Sequence, residues 1–115
     1  MTYIQASDDS HVAIFRIGRF AVPPAAMPAF MARLEQAKNL LAAQPGCLKS
    51  LVLTLTAGTT EFNVVSFVEW ASPQAMEAAK SAIEAHQIQE GFDPEMFRRD
   101  LGIRADTAVY TAATC

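Results

Sequence analysis

Few residues in this sequence combine a reactive side chain with an apolar setting, and they lie far apart along the chain. His86 ends the stripe Met76, Ala79, Ile83, His86 on a predicted helix. An imidazole there serves either as a pocket acid or base, or as a core residue or helix-end cation. Asn63 and Ser66 are polar positions in a run that is otherwise strand-like, and Trp70 ends that run. Ser66 and Trp70 share one parity and Asn63 takes the other, so a regular strand turns Asn63 to the opposite face. Arg16 sits mid-strand between apolar neighbours. A guanidinium held there pairs with a carboxylate or reaches an edge, with substrate binding as the alternative. Tyr110 shares a face of the last predicted strand with Asp106, and either donates a hydrogen bond into a cavity or packs.

Other chemistries lack their residues. No glycine-rich loop follows a strand, and no Cys or His residues recur at metal-ligand spacing, so no metal site is expected. The two histidines, His11 and His86, support no Ser-His-Asp assembly, since His11 precedes the first strand. The cysteines, Cys47 and Cys115, read as reduced thiols, Cys47 as a small buried residue. A net charge of −3 offers no basic face for nucleic acid or an anionic membrane. No apolar run approaches the ~20 residues that cross a bilayer, and the first ten residues do not read as a secretory signal. The expected location is cytoplasmic.

With 51% hydrophobic and 18% charged residues, the chain has enough apolar material for one packed core. Residues 1–10 read as a loose arm, and 11–115 as a single domain. The first strand runs from His11 to Val22 and is apolar in both parities, with Val12, Ile14, Phe20 and Val22 against Ala13, Phe15, Ile17 and Ala21. Gly18 within it fits a bulge or a close backbone approach. Pro23-Pro24 ends it. Met27, Phe30, Met31, Leu34 and Leu41 mark a helix over about 25–44, which Pro45-Gly46 stops.

A second strand, about 47–56, sets Leu51, Leu53 and Leu55 against Leu48 and Val52. The short turn Ala57-Gly58-Thr59-Thr60 pairs it with a third strand, about 61–70. Ser72 is placed to cap a second helix with Pro73 at its first position. Asp93-Pro94-Glu95 opens a short helix through Leu101, Gly102 closes it, and Ile103 to Thr111 forms the last strand. This order is α+β and ferredoxin-like, βαββαβ, an antiparallel sheet with its helices on one face. A sheet apolar on both faces needs a second cover, and the simplest is another copy of itself.

Three strings carry a resemblance: Val22-Pro23-Pro24 entering a helix, Pro45-Gly46-Cys47-Leu48, and Val68-Glu69-Trp70-Ala71-Ser72-Pro73-Gln74-Ala75-Met76. With them the chain resembles the antibiotic biosynthesis monooxygenase family over about residues 12–112. The resemblance implies a dimeric α+β barrel with a cavity between sheet and helices, lined by Trp70, Ser66, Phe30, Met76 and Tyr110. It implies that Trp70 stacks a flat aromatic substrate, and that Asn63 or His86 supplies a polar catalytic contact. Many relatives continue the last string to a histidine. Here Ala79 stands at that place, which counts against the haem chemistry of some relatives.

Two readings follow. In the first, the chain is a cofactor-independent monooxygenase that stabilises the anion of a small aromatic or quinone-like compound, which then reacts with oxygen directly. In the second, it is a non-catalytic dimer whose pocket holds a small apolar ligand or is filled. Haem binding or degradation is a third, weaker reading.

Overall fold

A computed structural model describes residues 12–113; the expected arm at 1–10, His11 and Cys115 lie outside that range. Four strands and three α-helices follow in the order β1 (Ile14–Ala21), α1 (Met27–Ala42), β2 (Cys47–Thr54), β3 (Val64–Trp70), α2 (Pro73–Glu90), α3 (Pro94–Asp100) and β4 (Arg104–Tyr110). A 3-10 turn, Pro24–Ala26, leads into α1. All strand pairs are antiparallel, in the order β2-β3-β1-β4. This is the ferredoxin-like α+β fold.

Local chemistry sets the boundaries. The Ser72 hydroxyl accepts the Ala75 N–H at 3.1 Å, and Pro73 occupies the first turn of α2. Asp93 Oδ1 accepts from the N–H groups of Glu95 and Met96 at 3.0 and 3.2 Å, starting α3. Gly91, at φ 72°, ends α2 in the left-handed conformation. Between β2 and β3 the connection is longer than the predicted turn, spanning 55–63. Asn63 explains the difference. Its N–H donates to the Phe20 carbonyl at 3.0 Å, tying it to β1 as well as to Leu55.

Register assigns each strand residue to a face. Ile14, Arg16, Gly18 and Phe20 of β1 face the helices with Trp70, Val68, Ser66 and Val64 of β3. Phe15, Ile17 and Arg19 face outward with Glu69, Phe67 and Val65. The alternation predicted for β2 breaks at its start, where a bulge lies between Cys47 and Lys49. Cys47 therefore packs inward beside Trp70, while Leu48, expected opposite the Leu51–Leu55 face, is 58% exposed. Gly18 marks no bulge. Its missing side chain admits the Phe20 ring, whose Cζ would lie 3.1 Å from a β-carbon there.

The core divides into two clusters. Phe20, Val22, Ala26, Phe30, Val64 and Ile103 form one; Ile14, Val68, Trp70 and Ala79 form the other. The outer face is uncovered, with Leu51 at 40% and Leu53 at 47% exposure.

The turn before β2 is the tightest helix-to-sheet join. Gly46 has φ 85°, and a β-carbon on it would lie 2.5 Å from Ala75 Cβ. Gly46→Ala should cost about 2–4 kcal/mol in urea unfolding, from left-handed strain plus overpacking. Gly58→Ala is the control, since Gly58 is at φ 114° with nothing within 4 Å. Equal losses at the two sites would contradict this reading of the join.

Candidate functional site

The gap between the two core clusters is built into the sheet. Four rows cross its helix-facing side. The end rows are bulky: Ile14 with Trp70 and Cys47, and Phe20 with Val64. The middle rows are not. One carries Val109, Arg16, Val68 and Ser50, the next Thr107, Gly18, Ser66 and Val52. Polar and small residues at the centre of the floor leave the helices nothing continuous to pack on, and a cavity of about 870 Å³ remains. That is the size of a small-molecule site.

Leu34, Ala37 and Leu41 of α1 form one wall, and Met76, Lys80 and Ile83 of α2 another. Trp70, Ser66, Phe30 and Met76 all line the cavity. Trp70 is 1% exposed, and its indole Nε1 is buried with no hydrogen-bond partner. Phe30 packs its ring 5.0 Å from that of Phe20.

Three expected site residues are placed differently. Asn63 does not line the cavity. Its Oδ1 accepts the Val22 N–H and its Nδ2 donates to the Val22 carbonyl, both at 2.9 Å, so the whole amide is spent holding the end of β1. Tyr110 lies opposite Phe15, whose side chain is on the outer sheet face, away from the cavity. His86 does line the cavity, but at its rim and half exposed rather than on a buried stripe. Its Nδ1 lies 3.6 Å from Glu90 Oε1. Ala79, two stripe positions earlier, is 2% exposed, so α2 touches the sheet there and has parted from it by His86.

Glu90 joins a closure that sequence reasoning missed. Arg33 of α1 donates to both its carboxylate oxygens at 2.8 Å, and the guanidinium lies 3.4 Å from the Phe92 ring centre. The Arg33 hydrogen bonds hold the Glu90 carboxyl below its ordinary pKa of 4.5, against a smaller opposing effect of desolvation. The contact is therefore complete at neutral pH and is lost as pH falls below 4.5. Its four side chains come from three segments, so only a charge-and-aromatic count near 90 hinted at it.

Arg16 faces the cavity without the expected ion pair. Among the described residues no carboxylate lies within 4.0 Å of it. Desolvation by the walls, then repulsion from Arg98 of α3, pull its pKa below the usual guanidinium value. Arg98 also lines the cavity, and sequence reasoning did not single it out. No three His, Cys, Asp or Glu side chains group for a metal among the described residues. No helix there is long and apolar enough to cross a membrane.

The comparisons with known proteins agree with this architecture. The chain belongs to the antibiotic biosynthesis monooxygenase family, whose profile matches residues 13–91. No curated protein matches it by sequence. Among solved structures it is similar to SnoaB, a cofactor-independent oxygenase from Streptomyces nogalater, at 21% identity and TM-score 0.58, covering 90% of this chain and 96% of that one. Rv0793 from Mycobacterium tuberculosis is similar at 20% identity and TM-score 0.59, covering 90% and 95%. A dimeric ferredoxin-like protein from an uncultured marine organism shares 14% identity at TM-score 0.67, covering 90% and 98%.

Arg16 meets no carboxylate among the described residues and is partly desolvated, a liability to the free protein. Arg16→Met should raise the unfolding midpoint by ~2–4 °C, the equivalent of about 0.5 kcal/mol in a domain of this size. A lowered midpoint would show that Arg16 is a structural residue.

Proposed function

We propose that this chain is a cofactor-independent oxygenase acting on a small aromatic or quinone-like compound in the cavity, as a homodimer. The observation that carries the reading is an open cavity of about 870 Å³ between sheet and helices, lined by Trp70, Ser66, Phe30, Met76 and His86. A flat substrate slides between the floor and the α1 and α2 walls, its ring against Trp70. A carbonyl or enolate oxygen of that substrate would meet donors on the cavity floor, which stabilise the anion. Ser66 adds a hydroxyl from the floor, and Phe30 and Met76 shape the apolar wall.

His86 is the base in this scheme. It takes the substrate proton at the rim, and Glu90 beside it stabilises the imidazolium. The resulting carbanion reduces dioxygen. One oxygen atom bonds to the substrate carbon, which becomes a carbonyl, and the other leaves as water with the two hydrogens that carbon gave up. Asn63 has no part, its amide being committed to Val22.

A haem reading finds no support in the helix that faces the cavity. The place where the resemblance implies an iron ligand is Ala79, packed against Ile14, Val68 and Trp70. Homodimer formation is supported by the uncovered outer face, where Phe15, Ile17, Val65 and Phe67 continue the exposed Leu51 and Leu53.

Oxygen uptake with a panel of anthrones and hydroquinones tests the reading. Turnover is expected, and Ser66→Ala and His86→Gln should each lower kcat/KM by about tenfold or more, the worth of a hydrogen bond and of a general base. Thermal unfolding checks that both variants stay folded. Absence of turnover across the panel, with the same compounds still quenching the single tryptophan, would leave a ligand-binding dimer instead.

A further inference from the structure

The reaction scheme leaves the two cavity arginines unused. Arg16 projects from the middle of β1 into the helix-facing space, flanked along that face by Ile14 and Gly18, both buried. Arg98 reaches the same space from the last turn of α3. The two charges lie close enough to repel, and neither meets a carboxylate among the described residues. Three acids also line the cavity, but they do not neutralise this end of it. Glu90 is held by Arg33 and His86, while Glu77 and Glu84 lie on the exposed side of α2.

Placing two like charges at one end of a cavity is unfavourable in the empty protein, because they repel each other and Arg16 loses part of its solvation. An anion between them reverses both effects. Guanidinium groups present planar, forked donors, which match a carboxylate through paired hydrogen bonds. The Thr107 hydroxyl stands on the same floor row as Gly18, next to the Arg16 row, and supplies a further donor.

We propose that the cavity's ligand carries an ionised carboxylate, bound between Arg16 and Arg98, with its aromatic part extending toward Trp70. The inference rests on the cavity being the substrate site and adds the class of compound it takes. Anthrones or quinols that carry a carboxylate would then bind more tightly than uncharged ones of the same shape. Binding strength would fall with salt, as for any exposed charge pair.

The test compares 2-naphthoate with 2-naphthamide, an uncharged analogue of the same shape. Quenching of Trp70, the chain's single tryptophan, reports occupancy, and calorimetry gives affinity. Naphthoate should bind at least about tenfold tighter than the amide, the increment expected of charge-assisted bonds. Arg16→Gln and Arg98→Gln should each remove most of that preference while leaving amide affinity within about twofold. Arg16→Lys, which keeps the charge, should retain a reduced, more salt-sensitive preference. Equal binding of acid and amide would overturn the carboxylate site and leave the substrate cavity standing. So would a preference that survives both Gln variants. Binding of neither compound would overturn the carboxylate site and the cavity reading together.

Discussion

The constraint on which the structure depends is a four-stranded sheet that is apolar on both faces but carries helices on only one. Two helices and a short third cover the side of Ile14, Phe20, Val64, Val68 and Trp70. On the other side Leu51, Leu53, Phe15, Ile17 and Phe67 face outward. Cross-strand charges flank this apolar band, with the Arg19–Asp106 ion pair on β1 and β4 and Lys49 opposite Glu69 on β2 and β3. Such a face hides its greasy centre only against a matching surface. In the proposed dimer this face would close against another subunit, and the helix side would be left to hold a ligand.

That helix side is not packed uniformly. Bulky residues at both ends of the floor hold α1 and α2 in place, and the central rows of Arg16, Gly18, Ser66 and Thr107 cannot draw them down. The cavity is thus a consequence of which residues occupy two rows of the sheet. Arg33, Glu90 and Phe92 then tie α1 to the end of α2 across one side of it. Stability comes from the ends of the sheet, and room for chemistry comes from its middle.

Much of the fold could be read directly from parity and capping. Ser72-Pro73 and Asp93-Pro94 started their helices as expected, because a cap is a local hydrogen bond between near neighbours. Strand faces were also legible, except where a bulge after the Pro45-Gly46 turn displaced Leu48. The site was less legible, since its errors involve distant partners. Asn63 is engaged by Val22, 41 residues away in sequence, and nothing near Asn63 announces that bond. Tyr110 had the right periodicity but periodicity does not say which face the helices take. His86 followed the stripe of α2, yet a stripe gives direction and not the point at which a helix leaves its sheet. Arg98 escaped notice because its importance lies in meeting no carboxylate among the described residues.

In the proposed function the two sheet faces have separate duties, one for a second subunit and one for a ligand. Light scattering coupled to size exclusion at micromolar concentration addresses this division most directly. The account predicts a mass twice the chain's 12.5 kDa, and a shift to the single-chain mass when Leu53→Lys places a charge in the outer face. A wild-type chain that runs at 12.5 kDa would contradict it.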